Sequence, residues 1–330
     1  MDRNVWDPVL VVQTAMEALR NYDEDASLES MLEPFHRDGF VVFHHAIDPQ
    51  VVSMLRTRLD EVLDGRYSRG SPPDKMPPPR SSPGSTTASG GGGGGGSRVL
   101  QVVNVHKCDV DFRALATSPV IGRIVSRLAN WANGARLAQD QIWHKPPGAP
   151  PLVFHRDSPY FMFAPADVVT VWIALDDMTD EVGPLEYVRG SHLWGDGRHG
   201  SCRTFFGPNN RDLLHSAAKR EGISDPENDL DIASMSGLGA GGMSVHHGRT
   251  WHGSGRNASK TRPRRGYGLH YVPAEVRFTA DARFSSLWRK YIPDDIDDDD
   301  ATGDGRLLAD IELPAEDFPL AYAPDDVGGG

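Results

Sequence analysis

The chain has 330 residues, of which 38% are hydrophobic and 24% charged, and carries a net charge of −12. That balance supplies no long-range attraction for nucleic acid or an anionic membrane surface, and no apolar run reaches membrane-spanning length. Cys108 and Cys202 are the only cysteines and no apolar leader opens the chain, so a reducing, cytoplasmic setting with free thiols and no obligate protein partner is expected.

In chain order, residues 8–22 begin with Pro8 and space Val11, Val12, Ala15 and Leu19 as a short helix. Residues 40–43 form a brief apolar strand. Asp48 as N-cap and Pro49 at the first helical position open a helix whose inner face reads Val52, Leu55, Leu59 and Val62, closed by Gly65. Residues 71–97 are rich in Pro, Ser, Thr and Gly and end in seven consecutive glycines, a composition that cannot bury enough apolar surface to offset ordering entropy. This stretch is read as a disordered insertion within one domain, an interdomain linker being the alternative. Residues 99–105 read as a strand, and Ser118-Pro119 open a helix with Ile121, Ile124, Val125, Leu128 and Trp131 on one face.

Beyond residue 135 the texture is one of short strands separated by Gly, Pro and Asp turns, at 136–144, 152–156, 167–175, 184–189, 241–247 and 264–272. Such spacing predicts a mainly β antiparallel sandwich or barrel with flanking helices. Residues 168–175 are almost continuously apolar, so that strand is expected to be buried on both faces. A polar excursion at 194–236 contains one helical stretch near 211–220, and the aspartate-rich run 293–300 reads as a solvated acidic loop. The expected organisation is one domain over 1–330: a helical part at 1–70, the insertion at 71–97, a β-barrel core at about 98–275, and an acidic C-terminal extension at 276–330.

The chemistry centres on Val153-Phe154-His155-Arg156-Asp157. On a strand, residues two apart share a face, so His155 and Asp157 can grip one metal ion together. The expected third ligand is His252, in Thr250-Trp251-His252-Gly253-Ser254. Two histidines and one carboxylate form the facial triad that suits non-haem Fe(II) and leaves coordination positions open. Of the adjacent His246 and His247, the latter competes with His252 for the ligand role and is assigned instead to the surrounding shell or core. Downstream, period two puts Arg264, Gly266, Gly268 and His270 on one strand face; Arg264 is the candidate to fork onto a carboxylate inside the barrel, the glycines beside it leaving room for the ligand. Lys145 and Gln141, on the strand before the first ligands, are candidates to reach the same co-substrate or the substrate, Lys145 otherwise covering the barrel rim.

These residues resemble the phytanoyl-CoA dioxygenase family of Fe(II)/2-oxoglutarate oxygenases. The matching segments are Phe35-His36-Arg37-Asp38-Gly39-Phe40, Lys145-Pro146-Pro147-Gly148, His155-Arg156-Asp157, Val171-Trp172-Ile173-Ala174-Leu175, Gly190-Ser191-His192 and the stretch from His247 to Asn257, in the family's order. The resemblance implies a double-stranded β-helix, a jelly-roll or cupin-like barrel of two four-stranded sheets. It implies Fe(II) held by His155, Asp157 and His252, 2-oxoglutarate held by Arg264 and flanked by Trp172, and O2 as oxidant. The reaction it implies is oxidation of a C–H bond of a small-molecule substrate, by default to an alcohol, with release of succinate and CO2. Two departures stand out: the spacing from His252 to the arginines leaves Arg262 as a competing register, and Arg156 occupies a position that is often glutamine in the family. A zinc hydrolase-like site, or a catalytically silent barrel that binds a ligand or partner, are the competing readings of the same three residues.

Overall fold

The structure, a computed structural model, describes residues 25–77, 98–195, 200–201, 204–294, 308 and 311–324. The expected helix at 8–22, most of the insertion (78–97), Cys202 and most of the acidic run lie outside the described residues.

Two antiparallel sheets face each other. The larger runs in the order β1 (Phe40–Phe43), β9 (Met243–His247), β6 (Val169–Ala174), β11 (Arg264–Pro273), β3 (Ala135–Lys145) and β13 (Leu320–Tyr322), with β2 (Leu100–Val103) also pairing β3. The smaller is β4 (Leu152–His155), β10 (His252–Ser254), β7 (Leu185–Val188) and β8 (Ile232–Ser234). The inner four strands of the large sheet and the four of the small one make the double-stranded β-helix. The expected four-plus-four arrangement is extended, because β1, β2 and β13 widen the large sheet to seven strands.

All six strands expected beyond residue 135 form. The central one, β6, is buried at every position, as its unbroken apolar sequence requires. The very short β5 (Phe163–Ala164) and β12 (Arg277–Phe278) pair with each other outside both sheets.

Helices α1 (Asp25–Asp38), α2 (Pro49–Leu63), α3 (Val110–Ala116) and α4 (Pro119–Ala129) supply apolar faces to a core that also contains Val169, Val171 and Ile173 of β6, and Tyr267, Leu269 and Tyr271 of β11. Asp48 caps α2 by accepting from the Gln50 amide at 2.7 Å, as its sequence predicts. Helices α1 and α3 are additions to the elements expected from the sequence. Two shorter helices, α5 (Asp212–Arg220) and α6 (Pro226–Asp229), lie in the excursion between β7 and β9.

The segment past residue 275 is not an appendage. Val276, Phe278, Trp288, Ile292 and Phe318 form a second apolar cluster with Phe161 and Phe163, and β13 joins the large sheet beside β3. Arg136 donates to the Phe318 carbonyl at 2.6 Å, and Lys107 forms an ion pair with Asp317. The first residues of the expected disordered insertion are also held: Lys75 bridges Val103, and Asp74 accepts from Asn104, Lys107 and Lys290 at 2.6, 3.0 and 2.6 Å.

Candidate metal centre and co-substrate pocket

His155 ends β4 and His252 begins β10, and the two are direct cross-strand partners. Their ring centroids are 4.3 Å apart. Asp157 reaches them by a different route from the one its spacing suggests. Strand β4 stops at His155, and Asp157 lies in helical backbone conformation at the start of a 3-10 turn, its amide donating to the Gly248 carbonyl at 2.8 Å. The turn, not strand alternation, brings the carboxylate alongside. Asp157 Oδ1 is 3.8 Å from His155 Nε2 and 3.7 Å from His252 Nε2. One ligand atom from each of the three lies within 4.8 Å of the others, and all three side chains are buried.

The surroundings fix which atoms face inward. His155 Nδ1 is 2.7 Å from the Val153 carbonyl and His252 Nδ1 is 3.0 Å from that of Thr250. Each carbonyl accepts an N–H, so both Nε2 lone pairs are directed at the shared centre. Burial, with His252 close to His155 and with His246 and His270 close to His252, pushes His155 and His252 down to about 4, so both imidazoles are neutral ligands at physiological pH. Burial opposes ionisation of Asp157, but His252, His270 and His246 around it hold its carboxyl well below the usual range. Its Oδ2 accepts from Thr170 Oγ1 at 2.6 Å and His246 Nε2 at 3.1 Å, leaving Oδ1 for the centre. A neutral His pair with one ionised carboxylate is the donor set of a non-haem iron site, and these residues fit it.

His246, Thr170 and His270 form a row across β9, β6 and β11, pairing in register. This row corrects the assignment of the adjacent histidines: His246 supports Asp157, whereas His247 turns to the opposite face, 3.6 Å from Asp167. Only one of two consecutive strand residues can face inward. On β6, Thr170 shares a face with Trp172, two residues along the same strand.

Arg264 is 1% exposed and its guanidinium lies 5.5 Å over the Trp172 ring. Its Nε donates to the Gly183 carbonyl at 3.3 Å, and its Nη2 has no hydrogen-bond partner among the described residues. Arg262 is partly exposed and lies 3.7 Å from Glu181, and Arg265 forks onto Asp176 at 2.7 and 2.9 Å. Arg264 is therefore the inward arginine. The space beside it is not empty as expected: a Cβ on Gly266 would sit 2.3 Å from the Trp172 indole, so the glycine accommodates tryptophan.

Lys145 is the register partner of Arg264 on β3, also 1% exposed, and donates to Ser254 Oγ at 3.0 Å and to the Gly255 carbonyl. Burial, with the Arg264 charge second, pushes Lys145 down to about 6; burial lowers Arg264 to about 10. Gln141 sits at a different part of the site from Lys145. It stands four residues along β3 from Lys145, about 13 Å at ~3.3 Å per residue, and its amide engages His270 and Gln101, not the Arg264 end. A single cavity is lined by His155, Asp157, His252, Arg264, Trp172 and Gln141, with Trp143 and His270. Phe205 packs beside the metal-binding side chains, edge-on to His155 at 5.2 Å and 5.5 Å from Tyr160.

Comparison with known proteins is consistent with this site. A protein of Stutzerimonas stutzeri described as a probable alpha-ketoglutarate-dependent hypophosphite dioxygenase is 29% identical over 132 residues, 39% of this chain. The match spans 42% of that relative's length. Among solved structures, the epimerase SnoN in complex with Fe3+, alpha-ketoglutarate and nogalamycin RO aligns over 91% of this chain and 100% of its own, at TM-score 0.64 and 22% identity. The carbocyclase SnoK from nogalamycin biosynthesis aligns over 76% and 85%, at TM-score 0.56 and 23% identity. EctD from S. alaskensis aligns over 76% and 78%, at TM-score 0.53 and 19% identity. These are likenesses of fold. The phytanoyl-CoA dioxygenase (PhyH) profile matches residues 35–266, which contain His155, Asp157, His252 and Arg264, and the chain belongs to that family.

Proposed function

We propose that this protein is an Fe(II)/2-oxoglutarate-dependent dioxygenase that hydroxylates a C–H bond of a small organic substrate, releasing succinate and CO2. His155, Asp157 and His252 hold the iron. Arg264, with Trp172 beneath it and Lys145 and Ser254 alongside, receives the far carboxylate of 2-oxoglutarate. Iron with bound 2-oxoglutarate supplies the oxidising power, with O2 as oxidant. The observation that carries the reading is the buried Arg264 Nη2, unpartnered among the described residues, in the cavity that the three ligands line. A buried guanidinium is costly unless a carboxylate completes it.

The chain's own groups divide the work. The Val153 and Thr250 carbonyls hold the two imidazoles in the tautomer that binds metal. Thr170 and His246 hold one carboxylate oxygen of Asp157 and present the other. A hydrolytic zinc site would need a general base beside the metal. Among the described residues Asp157 is the only carboxylate lining the cavity, where it is read as a metal ligand; His246 Nε2 donates to it, and His270 Nε2 faces the Gln141 amide nitrogen, so neither ring nitrogen serves as that base.

The compounds associated with the similar proteins range from hypophosphite to nogalamycin RO, which is bound to the epimerase, and their chemistry includes epimerisation and carbocycle formation. The outcome here depends on which C–H bond the mouth presents. Anaerobic addition of Fe(II) and 2-oxoglutarate should give a weak visible charge-transfer band, and oxygen should then release succinate. Absence of both in folded protein would sink the proposal.

A further inference from the structure

Asp157 is the last member of a chain of side-chain hydrogen bonds that begins at the protein surface. Lys75 Nζ donates to Gln101 Oε1 at 2.8 Å; Gln101 Nε2 donates to Gln141 Oε1 at 2.8 Å; Gln141 Nε2 meets His270 Nε2 at 3.0 Å. His270 Nδ1 then meets Thr170 Oγ1 at 2.9 Å, and Thr170 Oγ1 donates to Asp157 Oδ2 at 2.6 Å. The chain crosses strands β2, β3, β11 and β6 before reaching the turn that holds Asp157.

Its two ends fix the direction of every bond between them. An ammonium can only donate, and an ionised carboxylate can only accept. Lys75 therefore forces Gln101 to turn its oxygen outward and its nitrogen inward. Gln141 must then present its oxygen to Gln101 and its nitrogen to His270. At the other end, the single hydroxyl proton of Thr170 goes to Asp157, so that oxygen must accept from His270 Nδ1–H. The His270 tautomer demanded from one end, Nδ1–H with an accepting Nε2, is the tautomer demanded from the other. No amide in the chain can turn over without creating a donor–donor or acceptor–acceptor contact.

We propose that Lys75, Gln101, Gln141 and His270 form a one-way hydrogen-bond relay that positions the metal-binding carboxylate through Thr170, with His270 as the central positioning residue. The inference rests on the iron-site reading above. It gives a role to the ordered first residues of the glycine-rich insertion: Lys75 is pinned to β2 by its backbone bridge to Val103, which sets the polarity of the relay from outside the cavity. Outer-shell partners of this kind typically change metal affinity 10- to 100-fold.

The test is Co(II) affinity of the full chain, read from the visible d–d absorption, with thermal unfolding of the metal-free protein as the fold control. Three variants are compared. His270→Leu removes the donor to Thr170. His270→Asn keeps an N–H near the Nδ1 position. Gln101→Glu, at a partly exposed residue remote from the metal, offers Gln141 an acceptor where it now meets a donor; the Gln141 amide turns over and His270 is driven to the opposite tautomer. The expected result is a loss of Co(II) affinity of roughly 10- to 100-fold for His270→Leu, a smaller loss with an altered d–d band for Gln101→Glu, and near-native affinity for His270→Asn. Native affinity and spectrum in both His270→Leu and Gln101→Glu would overturn the relay, as would equal losses in His270→Leu and His270→Asn, which would reduce His270 to packing. If the unmodified protein binds no Co(II), the iron-site reading itself fails, and that outcome is distinct from either of the others.

Discussion

Arg264 and Lys145 face each other across the antiparallel strands β11 and β3, two buried basic side chains on one register pair, each 1% exposed. Water cannot solvate two such charges there, and the balance is met by leaving one uncharged. Lys145 lies at about 6, and a neutral amine still has the two N–H groups needed for Ser254 and Gly255. Arg264, at about 10, keeps its charge at neutral pH.

The arrival of a dicarboxylate reverses this preference, because an anion beside Lys145 favours the ammonium. Binding of 2-oxoglutarate near pH 7.5 should therefore take up close to one proton. Calorimetric titration in buffers of different ionisation enthalpy measures it, and affinity should fall as pH rises above neutrality. Lys145→Met should abolish the uptake and weaken 2-oxoglutarate binding by about 10- to 100-fold, the loss of a hydrogen bond to a charged group. Equal uptake in the variant would refute this assignment.

Replacing His252 with alanine removes a ligand and the cross-strand ring partner of His155. The visible band with Fe(II) and 2-oxoglutarate should disappear and succinate release should fall by more than ~100-fold, exceeding the effect of outer-shell changes. The far-ultraviolet spectrum should be retained, because β10 is held on both sides by backbone pairing with β4 and β7.

Gly266→Ala is a change of one methyl group outside the metal shell. Its Cβ would meet the Trp172 indole at 2.3 Å on a central strand that cannot shift freely. Overpacking of this kind costs about 1–3 kcal/mol. Thermal unfolding should report a lower Tm, and displacement of the indole from under Arg264 should raise KM for 2-oxoglutarate more than it lowers kcat.

Metal-free protein should lose stability on acidification earlier than its carboxylates require. His155 and His252 lie at about 4 when folded, against 6.5 for an ordinary histidine. Between about 6.5 and 4 the unfolded chain binds protons that the folded chain does not, so stability is intact above that window and declines as pH falls through it. Unfolding at pH 5 should occur on the order of 5 °C below that at pH 7.5. Divalent metal should raise Tm at pH 7.5 and lose its effect at pH 5, since protons and metal compete for the same two nitrogens. A Tm independent of pH across the window would show that the two imidazoles are not held neutral.

Much of this protein was legible in its linear sequence. Period-two patterning and turn residues located β3, β4, β6, β7, β9 and β11, and Asp48-Pro49 located α2, because these signals are local. The identities of His155, Asp157, His252 and Arg264 were also readable, since few residue types can supply such donors and the family's motifs occur in order. What the tertiary structure decided is what depends on non-local pairing. Asp157 reaches the site through a turn that the Gly248 carbonyl anchors. His246 and not His247 supports it, because the register of β9 against β6 sets which one faces inward. Lys145 meets Arg264, and Gln141 meets His270, because β3 lies antiparallel to β11 with that alignment. The strand at 320–322 has too few residues to carry a pattern of its own, and only the exposed edge of β3 makes it a strand. Sequence specifies which chemical groups are present; the burial and pairing of distant strands set their protonation, direction and partners.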